Sequence, residues 1–232
     1  MSALYENRKF DGLTDIDTGR VFQDIECRKC DFFSSSISMG HDLARRSVVR
    51  RVRLRDCRVR ASFVGRAIVD EVEIDGMDTG KEFTLQCFAT VLRHVTLKGS
   101  IGNLQIIDQV GLSQPARVQK AFNEANAAFY MNVDWALDIS SAEFYGCDIR
   151  GVPYRLVRRD PETQVVITRE RAEVRHWRHL DFSETFLDYY LEKLLGSTAE
   201  GMVLVAPKAS PKFKVFLSTL KSLREIGVAL PD

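Results

Sequence analysis

Sliding Val48–Arg58 forward by twenty residues lays it on Ile68–Asp78, and this match restricts the fold more than any other feature of the chain. Val48 falls on Ile68, Val49 on Val69, Val52 on Val72, Leu54 on Ile74 and Cys57 on Met77. The charges fall on charges of opposite sign: Arg50 on Asp70, Arg51 on Glu71, Arg53 on Glu73, Arg55 on Asp75 and Arg58 on Asp78. Neighbouring strands lie roughly 4.8 Å apart, so the two segments read as strands stacked side by side. Like apolar residues then meet on the inside, and opposite charges meet on the outside. An exposed ion pair contributes only about 0–1 kcal/mol. The charges therefore act mainly on register, because a one-residue slip would bury them and expose the apolar set.

A second regularity runs at five residues. Phe22, Cys27, Phe32 and Ile37 are spaced by five, and so are Ile139, Phe144, Ile149 and Tyr154. The blocks around them read Ile-Glu-Cys-Arg-Lys, Cys-Asp-Phe-Phe-Ser, Ala-Glu-Phe-Tyr-Gly and Cys-Asp-Ile-Arg-Gly. These stretches resemble the pentapeptide-repeat family, most closely over 142–151 and less so over 25–39. Residues 48–106 keep a coil length without the pentad. The resemblance covers about half the chain and implies a right-handed quadrilateral β-helix with four pentapeptides per coil, which agrees with the twenty-residue shift. A later echo, Val72 and Ile74 at Val95 and Leu97, is displaced by twenty-three and implies a small insertion. Such a resemblance speaks to fold far more than to activity.

The expected fold is mainly β: a right-handed parallel β-helix, a solenoid of about 20 residues per coil, with one inserted helix and a C-terminal α-helical cap. Residues 1–160 form the expected solenoid, with 1–19 capping its first coil and a helical excursion at about 113–130. That excursion has Ser113 as cap, Pro115 in the first turn and an apolar stripe of Val118, Phe122, Ala125 and Phe129. Residues 161–232 form the expected α-rich cap. Tyr154–Val157 and Val165–Thr168 read as a hairpin across the turn 158–164. Phe182–Gly196 reads as a helix capped by Ser183, and a second helix starts at Ser210 and closes at Gly227. Met202–Val205 reads as a short strand between them.

Bulk properties narrow the function classes. The 232 residues are 45% hydrophobic, enough to bury a real core. A net charge of +1 describes a mixed surface rather than a strongly basic or acidic one. Met1–Phe10 carries Glu6, Arg8 and Lys9 and lacks the apolar stretch of a signal peptide. No run approaches the roughly 18 apolar residues of a membrane span. Five cysteines in apolar contexts fit reduced thiols, so the expectation is a cytoplasmic protein with no membrane partner.

Three stretches carry candidate chemistry. Cys27-x-x-Cys30 has no second pair at metal-site spacing and reads as core. His176-x-x-His179 places two imidazoles three apart around Trp177, without the glutamate of a His-Glu-x-x-His motif. The basic run is denser: residues 45–66 hold nine arginines, and 41–66 nets +7. Residues 67–82 net −5, and the twenty-residue stack sets them beside it. Arg45, Arg46, Arg60 and Arg66 have no acidic residue twenty further on, so they are the candidate phosphate-binding residues.

The leading expectation is a non-catalytic protein-binding module, of the inhibitor or immunity type, with another protein as partner. The first alternative is a nucleic-acid-binding protein using the arginines of 45–66. The second is an enzyme with a site between solenoid and cap, using His176 or His179 as acid/base. No phosphate loop, dinucleotide fingerprint or nucleophile elbow is present. The sequence singles out no catalytic residue, no metal and no cofactor.

Overall fold

The structure, a computed structural model, describes residues 2–111, 114–174, 176–197 and 199–231. The first strands are β1 Ala3–Glu6, β2 Lys9–Asp11, β3 Val21–Arg28, β4 Asp31–Phe33 and β5 Ser36–Ile37. Next come β6 Val48–Arg60, β7 Phe63–Gly65, β8 Ile68–Asp70, β9 Glu73–Asp78, β10 Thr84–Phe88, β11 Val91–Arg93 and β12 Val95–Ile107. Helix α1, Ala116–Tyr130, precedes β13 Leu137–Ile149, β14 Val157–Arg158 and β15 Gln164–Thr168. The chain ends with α2 Arg169–Glu173, α3 Leu187–Leu195, β16 Gly201–Val205 and α4 Phe213–Glu225.

The protein is mainly β, built on an eight-strand, all-parallel curled sheet in the order β1-β3-β6-β9-β12-β10-β7-β5. Partners on this path come from distant parts of the chain. The expected β-helix of even coils is therefore corrected to a half-barrel sheet with several helices, and the solenoid and repeat reading falls with it. The physical reason is the spacing of partners. Ala3 pairs with Ile25, Val21 with Val48, Arg53 with Glu73, and Glu73 with Thr96, which are shifts of 22, 27, 20 and 23 residues. The twenty-residue shift holds at β6–β8–β9 and again at β13–β14, but it does not run through the chain.

Within that stretch the residue register is as the charge pattern requires. Val48 pairs with Ile68, Leu54 with Ile74, Cys57 with Met77, and Arg50, Arg53, Arg55 and Arg58 lie beside Asp70, Glu73, Asp75 and Asp78. The sheet curls because its long strands bend at left-handed residues. Arg51 and Asp56 have φ of 51° and 50° inside β6, followed by Ala61 and Arg66 at intervals of five. Gly76 in β9 and Gly99 in β12 bend in the same way with φ of 77° and 63°. A side chain at Gly99 would meet the Asp75 carboxylate at 3.2 Å, so glycine fits the position for space as well as for backbone angle.

The main core lies inside the curl, with Val52, Leu97, Ile101, Leu137, Ile139 and Phe144 at its centre. Helix α1 packs Phe129 and Tyr130 against it and buries Phe122 in a separate small cluster with Ala89 and Val110. This helix matches the expected excursion, but Pro115, expected in the first turn, stands at the cap position before Ala116; Ser113, expected as the cap, lies outside the described residues. The expected hairpin is not formed. Tyr154–Leu156 is a 3-10 turn, β14 pairs in parallel with β13, and β15 pairs antiparallel with β16. The strand expected at 202–205 is β16, and the two C-terminal helices are α3 and α4. Helix α3 starts later than expected, after Phe186 in a left-handed conformation, and Ser183 does not cap it. Trp177, Leu187, Leu191, Leu220 and Leu223 build a second core there, while Val166, Val203 and Val205 join the main one.

Candidate interaction surface

The exposed side of the sheet carries three rows of charge that run across the strands. One row holds Glu26, Arg53, Glu73, Thr96, Asp138 and Arg158, each in register with the next. Beside it run Arg28, Arg55, Asp75 and Lys98. At the bend that borders them stand Asp24, Arg51, Glu71 and His94, all left-handed. The arginine-rich strand β6 thus lies between acidic residues of β3 and of β9. Signs alternate from Glu26 through Arg53 to Glu73, while Arg28 and Arg55 are like-signed neighbours; acids stand beside most of the β6 arginines, so the density of arginine read along the sequence does not become a uniform basic patch in space.

The ion pairs do not follow the i+20 scheme. Arg51 grips Asp24 through two hydrogen bonds of 2.6 and 2.8 Å. Asp70 receives two from Arg93, at 2.8 and 2.6 Å, and these hold its carboxyl below the usual carboxylate range. Glu73 pairs with Lys98 at 3.4 Å, and Arg55 reaches back to Glu26 at 3.8 Å. Arg50 donates to Gln23 at 3.1 Å rather than to Asp70. Register put the right residues side by side, and the side chains then paired with the adjacent strand on the other side: β6 with β3, β9 with β12 and β8 with β11.

Of the four arginines singled out in the sequence, two are structural. Arg46 reaches inward to the carbonyls of Ala67 at 3.2 Å and Ala89 at 3.4 Å, to that of Arg66, and to Asn126 Oδ1 on α1 at 2.8 Å. Burial lowers its guanidinium pKa to about 10. Arg66 is 4% exposed and donates to the carbonyls of Met39, at 2.7 Å, and Val110. Its Nη2 also lies 3.0 Å from His41 Nε2. Both side chains bring donors to backbone carbonyls near the bends, where unmet acceptors are costly in a buried site. Arg45 stays exposed and pairs with Asp42 at 3.6 Å; Arg60 pairs with Asp78 at 3.4 Å. The four therefore do not converge.

His176 and His179 are both exposed, on a 3-10 turn whose buried residue is Trp177. Neither lines either of the two cavities described next. A cavity of about 510 Å³ lies between the end of α1 and residues 150–156 and 199–201, with Asp108, Tyr130, Arg150 and Tyr154 in its wall and the Arg155–Glu200 pair at 2.8 Å. A second, of about 450 Å³, is walled by Trp177, Arg178, Phe182, Phe186 and Glu192. Cys27 and Cys30 are buried with Cys57 beneath Phe10 and Phe32, and burial pushes the Cys27 thiol up to about 12. Such a thiol is a small apolar group rather than a nucleophile. No cluster of three metal-ligating side chains occurs among the described residues.

One group was missed in the sequence. His94 Nε2 lies 2.7 Å from Asp134 Oδ1, and that bond lowers the Asp134 carboxyl pKa. The His94 ring packs at 4.8 Å on Trp135, and the Arg158 guanidinium lies 4.2 Å from the same indole. Forty residues separate His94 from Asp134, and no local spacing marks the pair. Trp135 is half-buried at one end of the charged rows, held by a cation and a ring. Aromatic and arginine side chains in this setting are the usual anchors of protein recognition.

Comparison with protein-family models, with curated proteins and with solved structures finds no match.

Proposed function

We propose that the chain is a non-catalytic protein-binding module whose recognition surface is the charged face of β3, β6, β9, β12 and β13, with Trp135 at its end. What supports this reading above all is the mixing of sign across that face, alternating from Glu26 through Arg53 to Glu73. A surface for nucleic acid gathers cations to neutralise successive phosphates. Here each cation of β6 has an acid on a neighbouring strand, and two of the four candidate phosphate ligands are turned inward. Alternating charge on a rigid sheet instead favours a partner of complementary pattern and rejects partners out of register. The enzyme alternative has less behind it, because His176 and His179 are solvated and line neither cavity.

The test is affinity capture from native lysate after nuclease treatment, with wild type, Trp135→Ala and the pair Arg53→Glu with Arg55→Glu. The expected result is a stoichiometric protein partner held by wild type and lost by both variants, with circular dichroism unchanged. Capture that nuclease abolishes, or a partner held equally by the charge-reversed protein, would overturn the proposal.

A further inference from the structure

The sheet has an edge that no described residue covers. Strands β1 and β2 each pair on one side only, with β3 and β4. Residues 2–9 are all exposed, and Leu4, Tyr5, Leu13, Ile16 and Val21 are exposed large apolar side chains within one stretch. Tyr5 stands in the inward row of Cys27, Leu54, Ile74 and Leu97, yet it is 39% exposed because the row ends with it. Phe10 likewise ends an inward row and stacks on Phe32 at 5.0 Å, with Tyr5 edge-on to it at 5.7 Å. An open edge of this kind, without proline and with its inner face bare, is a template for pairing.

From this edge we infer that it joins a second copy of the chain, related by a two-fold axis passing between Asn7 and Arg8. The charge pattern selects that occupant. Lys9, Asp31, Arg58 and Asp78 lie in register and alternate in sign across four strands, so the open place beyond Lys9 calls for an acid. Glu6 heads another row and, like Lys9, has no ion pair among the described residues. The two-fold sets Glu6 of each copy against Lys9 of the other, two pairs at once. It also sets Tyr5 over the other copy's Phe10, continuing the ring stack on Phe32 and closing the core above the buried cysteines. An interface of this type is self-complementary by construction, and no element of the described chain competes for it. It lies at the edge of the sheet, distinct from the charged face proposed for a partner protein.

Sedimentation equilibrium of the full chain tests the inference. Wild type is expected to be a dimer. Glu6→Lys alone places lysine against lysine, and Lys9→Glu alone places acid against acid, so each is expected to associate at least about tenfold more weakly. Mixing the two single variants restores both pairs in a heterodimer, and the double variant E6K/K9E restores them within one sequence. Recovery by the mixture or by the double variant also shows that the single variants fold. A wild type that stays monomeric across the concentration range would overturn the inference. So would a dimer indifferent to both charge reversals, or a mixture no more associated than its parts.

Discussion

At the β13 edge of the sheet the chain returns and covers what the strands leave open; at the β1 edge no described residue does. Ile149 at the end of β13 pairs with Val203 of β16, and Val166, Val203 and Val205 complete the apolar cluster around Phe144. At the other edge, Tyr5 and Phe10 occupy equivalent inward positions with nothing above them. Phe144 is fully buried and Tyr5 is 39% exposed, though both are aromatic residues on the inner side of a strand. Residue type thus states which side of a strand faces in. Burial depends on whether a further layer exists, and that is decided by segments far away in sequence.

The largest test of this difference compares truncations at the two edges. Phe144→Ala empties a packed site and is expected to cost about 3–5 kcal/mol in denaturant unfolding. Tyr5→Ala in dilute protein is expected to cost less than about 1 kcal/mol. Equal losses would mean that the first strands are as firmly packed as the last.

Between the edges, Arg66→Met removes the donors to the Met39 and Val110 carbonyls and is expected to cost about 1–3 kcal/mol in thermal unfolding. A neutral outcome would mean that water satisfies those carbonyls and that the bends need no arginine.

Asp70→Asn weakens the paired hydrogen bonds from Arg93, whose head group is half-exposed, so a loss of about 1 kcal/mol is expected at neutral pH. The folded carboxyl pKa lies below its unfolded value because Arg93 holds the charged form. Its contribution is therefore complete above the unfolded carboxylate pKa of about 3.9 and disappears as pH falls through the lower folded value. Stability against pH, wild type minus Asp70→Asn, should narrow on acidification and not on alkalinisation.

The smallest effect is expected at Arg53 and Glu73. They are in register, but Glu73 pairs with Lys98, so the cycle of Arg53→Glu and Glu73→Arg should give a coupling below about 0.5 kcal/mol. A larger coupling would restore the i+20 ion pair that the pattern suggests.

The register of β6 on β8 and β9 was legible because five apolar and five charged positions constrain it at once, and only one alignment satisfies both. Helix α1 was legible from the spacing of Val118, Phe122, Ala125 and Phe129. The architecture was not, because a shift that fits one pair of strands says nothing of the next, and these shifts run from 19 to 27 along the path. The fate of the arginines was hidden for a related reason. Arg46 and Arg66 are fixed by carbonyls at Ala89 and Val110, contributed by later segments and carrying no side-chain signature. His94, Asp134, Trp135 and Arg158 meet only because β12, β13 and β14 lie side by side, so no motif search over a short window finds them.

The contrast between the two edges is read most directly by amide hydrogen exchange at low and at high protein concentration. Slow exchange is expected in β13 and β16 at both concentrations. In β1 and β2, fast exchange is expected when dilute and protection when concentrated. Exchange in β1 and β2 that is slow even at high dilution, or fast and indifferent to concentration, would contradict that contrast.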